Sequence, residues 1–168
     1  MSLLNQYIIS EAEELHTMRV RVTFVGGRSA LPKQLQQVMQ QLEERTATND
    51  GMHLQIAINY GGRDEIVRAV QKLGEEIATG AVLPKDITGE TVSRYLDTAG
   101  TPDPDLVIRT SGEMRLSGFM PWQASASELV FVDTLWPDFT VKHLTAALYE
   151  YSKRQRRHGG VVPQSVAK

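Results

Sequence analysis

Two arginines and a serine follow a short apolar strand near the middle of the chain, and their spacing lets them meet a single anion. Arg109 comes directly after the apolar run Leu106 to Ile108, and the loop that follows holds Arg115 and Ser117. Guanidinium groups bind phosphate oxygens through paired hydrogen bonds. An arginine at the end of a buried strand also costs desolvation energy unless a negative group meets it. The pattern predicts a polyanion site, for which a diphosphate is the best fit.

A structural role for Arg109 stays open, because Glu113 or Asp105 lies close enough in sequence to pair with it. The Ser111-Gly112 turn favours the anion site, since such turns present backbone N–H groups to negative ligands. Glycines and arginines also follow two other predicted strands, at Gly26-Gly27-Arg28 and Gly61-Gly62-Arg63. The second of these matches neither the dinucleotide-binding fingerprint nor the Gly-Lys-Ser/Thr phosphate loop, so tight packing of strand against helix explains it better than phosphate binding does.

Glu128 opens the last predicted strand among apolar neighbours. A carboxylate in that setting is either half of a salt bridge, the commoner arrangement, or a metal ligand. Magnesium usually takes one or two carboxylates together with phosphate oxygens of a substrate. A single glutamate beside an arginine-lined phosphate site therefore suits magnesium as half of a ligand set.

Short strands that alternate with amphipathic helices predict an α/β fold, a Rossmann-like parallel sheet with helices on both faces. Ligands bind beyond the carboxyl ends of the strands in such sheets. We expect one domain over residues 1–168, in which 153–168 form a basic C-terminal tail. Buried helix faces are expected at Leu4, Ile8, Ala12 and Leu15, at Leu35, Val38, Met39 and Leu42, at Ile66, Val70, Leu73 and Ile77, and at Leu144, Ala147, Leu148 and Tyr151.

The bulk composition excludes several classes of protein. A formal net charge of −2 argues against nucleic acid as a partner, because non-specific binding needs a broad excess of lysine and arginine. The absence of cysteine removes disulfides, thiolate catalysis and structural zinc. No apolar run reaches membrane-spanning length, and the N-terminus carries acidic residues where a signal peptide would be basic. These features predict a cytoplasmic protein.

Five segments, in the same order and with similar spacing, together resemble the cis-prenyltransferase family, which includes undecaprenyl diphosphate synthase. They are Asn59 to Ile66, Leu106 to Glu113, Arg115 to Phe119, Trp122-Gln123 and Leu135 to Phe139. The resemblance implies a homodimer that uses Mg²⁺ to condense isopentenyl diphosphate with an allylic prenyl diphosphate. The reaction forms cis double bonds, and its product is a membrane lipid.

The resemblance also implies roles for individual residues. Substrate-binding positions for isopentenyl diphosphate match Arg109, Arg115, Leu116 and Ser117, and Glu128 matches a magnesium ligand. Arg157 and Gly159 match an Arg-x-Gly element that reaches the partner subunit's site. From the residues alone, the basic run Arg154 to His158 is equally well a solvated helix end.

The sequence departs from the family pattern in three places. Gly27 stands where relatives usually carry Asp, and Pro121 stands where they carry an aliphatic residue. The family's N-terminal strands and its Asp-Gly-Asn loop, which supplies a magnesium ligand and the allylic site, have no counterpart here, so we expect no catalytic residues in this chain. The loss of strands exposes apolar helix faces, which a companion segment or a dimer would have to cover unless the chain is a partial gene product.

These features predict an isoprenyl diphosphate synthase chain that carries the isopentenyl diphosphate half of the site and is inactive alone. Two alternatives stay open. A non-catalytic partner subunit would lend its Arg157-His158-Gly159 end to a complete enzyme, although it would have no need of a full set of binding residues. A phosphate-binding module for nucleotides would bind ATP more tightly than isopentenyl diphosphate.

Overall fold

The computed structural model describes residues 2–154 of the 168, and Arg157 and Gly159 lie outside this range. The chain divides into two compact units, Met1–Thr101 and Pro102–Lys168, and each is described by itself. Helices and parallel strands occur in both, which confirms the predicted α/β class. The expectation of a single domain stays a prediction. No helix within residues 2–154 combines the length and the apolar character needed to cross a bilayer.

The first unit contains two parallel strands and four helices. In chain order these are α1 (Ser2–Thr17), β1 (Arg21–Val25), α2 (Lys33–Thr46), β2 (His53–Ala57), α3 (Gly62–Ala78) and α4 (Gly89–Ser93). Strands β1 and β2 run parallel, with Arg21 opposite His53 and Val25 opposite Ala57. Helix α2 makes the crossover between them. A parallel pair requires such a connection, because its two strands start at the same end.

Apolar side chains of α1, β1 and α2 form the core of this unit. Val22 and Leu35 are fully enclosed, and Met39 is 1% exposed. Burial of each such side chain contributes about 1.5–3 kcal/mol. The predicted inner faces of α1 and α2 are confirmed, since Leu4, Ala12, Leu15 and Val38 pack against the buried cluster as partly buried neighbours.

Helix α3 buries only part of the predicted face. Its buried residues are Gly62, Glu65, Ala69 and Leu73, so Leu73 is confirmed, whereas Val70 is 54% exposed. The prediction counted only apolar side chains and therefore left Glu65 out of the buried face. A carboxylate that receives hydrogen bonds can replace an apolar residue in the interior.

The second unit pairs two further strands. They are β3 (Leu106–Arg109) and β4 (Glu128–Phe131), followed by α5 (Val141–Ser152). Strands β3 and β4 are parallel, with Leu106 opposite Glu128 and Arg109 opposite Phe131. The described strands thus form two separate two-stranded sheets. Ala147 is the one buried residue of α5, and Leu144 and Leu148 are exposed, contrary to the expectation for that helix.

The turns after β1 and β2 are held together by their own backbone. Gly27 donates its N–H to the carbonyl of Asn59 at 3.1 Å, and the Asn59 side-chain amide donates to the Gly27 carbonyl at 2.9 Å. Gly26 has a φ of +118°, and a Cβ at this position would lie 2.2 Å from the Ile58 carbonyl oxygen. This close approach of the two turns requires glycine at position 26.

Replacement of Gly26 by alanine is expected to destabilise the protein far more than the same change at Gly80. Both glycines have positive φ, but a Cβ at Gly80 meets nothing within 4 Å. Gly80→Ala should therefore cost only the backbone strain, about 1–2 kcal/mol, and Gly26→Ala at least ~3 kcal/mol because backbone must also move. Urea unfolding followed by circular dichroism measures both, and equal losses would contradict the steric argument.

Candidate functional site

Arg109 ends β3 beside a cavity of about 220 Å³ in the second unit. The guanidinium Nε is buried and has no hydrogen-bond partner among the described residues. A buried charged donor without an acceptor is costly, so its retention points to an acceptor that binds from outside the chain. The cavity is otherwise lined largely by apolar side chains, from Val107, Ile108, Thr110, Leu116 and Phe119.

The ion pairs of the second unit bear on whether Arg109 has a structural or an anion-binding role. Within the described residues it takes part in no ion pair, and Glu113 pairs instead with Arg115. Arg115 Nη1 and Glu113 Oε2 are in ionic contact, but they are not aligned as a hydrogen bond. The Arg115 side chain is 69% exposed, so this pair contributes little to stability. Arg115 therefore remains available to an anion that reaches the loop.

The loop that carries Leu116 and Ser117 is a series of tight turns. Ser117 and Gly118 both have positive φ, and the Phe119 N–H donates to the Leu116 carbonyl at 2.9 Å. These turns place Leu116 in the wall of the cavity, while Ser117 is exposed. The predicted binding residues Arg109 and Leu116 thus meet at one cavity, and Arg115 and Ser117 lie in its flanking loop.

One expectation for this loop is wrong. The Ser111 N–H donates to the Thr134 carbonyl at 2.9 Å, and the Gly112 N–H donates to the Val132 carbonyl at 3.1 Å. Both donors of the Ser111-Gly112 turn are therefore used within the protein. The turn ties the end of β3 to the segment after β4, and it has no free N–H group for an anion.

Glu128 forms a salt bridge. Its Oε2 accepts a hydrogen bond from Arg154 Nη1 at 2.9 Å, and Arg154 Nη2 also pairs with Glu150 at 2.5 Å. The hydrogen bonds to Glu128 and Glu150 raise the pKa of Arg154 above its ordinary value. One guanidinium thus joins the beginning of β4 to two successive turns at the end of α5.

Glu128 does not lie beside Arg109, contrary to the sequence-based expectation of a glutamate next to the arginine-lined site. The strand register places it opposite Leu106, whereas Arg109 lies opposite Phe131. Three residues of strand separate the two positions by about 10 Å along the strand axis. Side chains also alternate between the faces of a strand, so Glu128 and Arg109 project from opposite faces of the two-stranded sheet.

Arg28, after β1, has a structural role. It pairs with Glu43 through both guanidinium Nη atoms and donates to the Phe24 carbonyl at 3.0 Å. The hydrogen bond with Glu43 raises the pKa of Arg28 above its ordinary value. The same carboxylate accepts the Phe24 N–H at 2.8 Å, so Glu43 and Arg28 together brace the end of β1.

The Gly61-Gly62-Arg63 segment fits the packing interpretation. Gly62 is buried at the start of α3, and a Cβ at Gly61 would lie 3.0 Å from the Asp64 carboxylate. Asp64 and Glu65 already place two carboxylates in the first turn, where the helix dipole favours negative charge. A further anion would meet their repulsion.

Sequence reasoning missed a network of carboxylates in the first unit. Glu65, 1% exposed, accepts hydrogen bonds from the Tyr60 hydroxyl at 2.6 Å and the Asp97 N–H at 2.9 Å. The Asp97 carboxylate accepts from the Gly26 N–H at 2.9 Å and from Arg68 at 2.5 Å. The network fixes both turns at the carboxyl edge of β1 and β2. The sequence signal for this network is the position of Glu65, which lies on the same face of α3 as Ala69, one helical turn earlier.

The described residues do not form a complete metal site. No three histidine or acidic side chains within residues 2–154 lie close enough to hold a metal ion together. Glu128 supplies oxygen, the donor that magnesium prefers, and its side chain is 27% exposed. It therefore fits as one ligand among several that would have to come from elsewhere.

The fold and the cavity define an α/β protein with parallel strands and a candidate anion site at the end of β3. The sequence model described as "Putative undecaprenyl diphosphate synthase" matches residues 1–159. The chain belongs to this prenyltransferase family.

Similar proteins come from bacteria and plants. An isoprenyl transferase of Brucella abortus is 48% identical over 167 residues, which cover 99% of this chain and 66% of that protein. An isoprenyl transferase of Rhizobium meliloti is 46% identical over 99% of this chain and 68% of its own length. The chain thus spans about two thirds of the length of the curated relatives it matches.

Two solved structures share the fold. Lavandulyl diphosphate synthase from Lavandula x intermedia, in complex with dimethylallyl diphosphate, superposes with a TM-score of 0.87 and 36% identity, and the match covers 90% of this chain and 66% of that one. A probable undecaprenyl diphosphate synthase from Campylobacter jejuni gives a TM-score of 0.81 and 28% identity, over 94% and 72% of the two chains.

Arg28 and Arg109 should differ in how much their substitution lowers the free energy of unfolding. Arg28→Met leaves the Glu43 carboxylate without its cation, and we expect a loss of about 1–2 kcal/mol in the free energy of unfolding, allowing for partial exposure of the pair. Arg109→Met removes an unpaired donor beside an apolar cavity, and the change should stay within about 0.5 kcal/mol. Urea unfolding compares them, and a larger loss for Arg109→Met would assign a structural role to Arg109.

Proposed function

We propose that this chain is part of an isoprenyl diphosphate synthase that condenses isopentenyl diphosphate with an allylic prenyl diphosphate to form cis double bonds. Its own share of the site is the one for isopentenyl diphosphate. The buried, unpartnered Nε of Arg109 at an apolar cavity is the observation that carries the proposal. A diphosphate supplies the missing acceptor, and a short hydrocarbon group suits the cavity walls.

The chemistry assigned to the chain is binding and orientation. Arg109 and Arg115 hold the diphosphate of isopentenyl diphosphate, Ser117 adds a hydroxyl donor, and Leu116 contacts the hydrocarbon. The double bond then attacks the allylic carbon as the bond from that carbon to its diphosphate group breaks, diphosphate leaves, and the isopentenyl unit loses a proton. The family's groups for the allylic diphosphate belong to the Asp-Gly-Asn loop, which has no counterpart in this sequence. We therefore propose that the chain binds one substrate and turns nothing over alone.

Magnesium is proposed as the metal of the reaction, with Glu128 as one ligand. The proposal rests on the match to the family's motif and on the carboxylate chemistry of this residue. A magnesium ion, when bound, neutralises part of the negative charge of a diphosphate. Glu128 and Arg109 of one chain lie at opposite ends of their strands, so the proposal does not place them on the same phosphate group.

We further propose a cytoplasmic homodimer, in which Arg157 and Gly159 contribute to the partner subunit's site. Large apolar side chains exposed on the second unit are consistent with a covered surface; they include Leu135, Trp136, Val141, Leu144 and Leu148. Exposed apolar patches of this kind commonly mark protein interfaces.

Isopentenyl diphosphate binding, measured by calorimetry, should depend strongly on Arg109. Loss of one charge-assisted contact is worth about 1.5–3 kcal/mol, so Arg109→Met should weaken binding by roughly ten- to a hundredfold. Arg115→Met should have a smaller effect because its side chain is mostly exposed. Lys142→Met, which removes an exposed cation of α5, serves as the control. Equal affinity in the wild type and Arg109→Met would contradict the proposal, and tighter binding of ATP would favour a nucleotide module.

A transferase assay with both diphosphates and magnesium tests the proposed inactivity of the chain alone. Robust product from the purified chain would contradict it. The alternative of a non-catalytic partner subunit requires that addition of the chain to an intact relative changes the rate, and an unchanged rate would exclude that role.

The oligomeric state tests the proposed dimer. Val141 is 78% exposed on α5, and Val141→Lys should shift sedimentation toward the monomer if a second copy covers it, because the interface would bury an unpaired charge. Ala146→Lys, at an exposed position on another side of the same helix, is the matched control. A wild-type chain that sediments as a monomer at all concentrations would refute the dimer.

A further inference from the structure

The strongest unassigned feature of the second unit is the cluster formed by Arg154 with Glu128 and Glu150. Arg154 bonds Glu128 Oε2 at 2.9 Å through one terminal nitrogen and Glu150 Oε1 at 2.5 Å through the other. Counting these three side chains, two negative charges share one positive charge. The cluster is therefore short of one positive charge, which favours the approach of a further cation.

We propose that Arg154 and a divalent cation compete for Glu128, so that binding of the metal requires release of the arginine. The inference rests on the proposed magnesium role of Glu128 and adds a residue that regulates it. A guanidinium and a metal ion on the same carboxylate would repel each other across a few ångströms, and magnesium also needs room for its water ligands. In this structure Arg154 neutralises the Glu128 carboxylate.

The exchange is easy because Arg154 has a second partner. When it leaves Glu128, the guanidinium retains its bond to Glu150, which lies four residues earlier in the chain, on α5. Glu128 and Arg154 then both keep a partner of opposite charge, since the metal pairs with Glu128 and Glu150 pairs with Arg154. The side chains of Arg154 and Glu128 are 31% and 27% exposed, so water can enter as the pair opens. A fully buried pair would pay a much larger penalty on separation.

The geometry also distinguishes Arg154 from its neighbour. Lys153 carries the same charge, but its ammonium group lies over the Tyr149 ring at 3.9 Å from the centroid. Substitution of either residue by glutamine removes one positive charge at nearly the same place. Only the change at Arg154 removes a direct contact with Glu128, so the pair of variants separates a local competition from a general field effect.

Binding of Mn²⁺ to the full chain, measured by electron paramagnetic resonance of the free ion, tests the inference without any catalytic assay. Arg154→Gln should bind Mn²⁺ about two- to fivefold more tightly than the wild type, the range expected for loss of a partly exposed ion pair. Lys153→Gln should match the wild type. Arg154→Lys, which retains the charge without the two-pronged geometry, should fall between wild type and Arg154→Gln and guards against a folding defect in the glutamine variant.

The outcomes separate the two proposals. Equal or weaker binding by Arg154→Gln, or an equal gain in Lys153→Gln, would overturn the competition while Glu128 kept its metal role. Glu128→Gln should weaken binding and should also abolish the gain from Arg154→Gln in the double variant. If Glu128→Gln binds Mn²⁺ as well as the wild type, Glu128 is not a ligand of the bound ion and the competition is wrong. If neither the wild type nor Arg154→Gln binds Mn²⁺, release of the arginine does not open Glu128 to a metal on this chain, and the competition is overturned while a role of Glu128 beside ligands from elsewhere is untouched.

Discussion

The parallel register of β3 with β4 determines where Arg109 and Glu128 lie relative to each other. Parallel strands begin at one end and finish at the other, so a residue that opens a strand and one that closes its neighbour are separated by the length of the sheet. Arg109 closes β3 and Glu128 opens β4. The cavity beside Arg109 and the salt bridge of Glu128 with Arg154 are therefore two separate sites, each with its own chemistry.

In the first unit, carboxylates hold the turns after β1 and β2 in place. Its two strand-end turns approach so closely that Gly26 has no room for a side chain. Asp97, from the segment after α4, accepts a hydrogen bond from the Gly26 N–H, and Glu65, from α3, accepts one from the Asp97 N–H. A buried acid that receives several hydrogen bonds is as effective a structural element as an apolar side chain.

Much of the fold and part of the site could be predicted from the sequence. Apolar periodicity located the helices and strands, and the anion site proposed from the arginine that ends β3 stays a prediction. The errors share one cause, which is that sequence shows residue types without their partners. Arg28 and Arg109 look alike in sequence, yet only the first meets a carboxylate, Glu43. The separation of Glu128 from Arg109 could have been predicted from the sequence, because Glu128 begins its strand and Arg109 ends its own.

The two glycines after β1 differ in how freely they can change over evolutionary time. Any side chain at position 26 collides with backbone, so substitutions there are not tolerated unless the neighbouring turn moves as well. Gly27 has an ordinary φ of −77°, and a Cβ there would meet the Asn59 side-chain amide at 3.2 Å, a group that can rotate away. A lineage can therefore replace the glycine at position 27 by a residue with a side chain without rebuilding the fold.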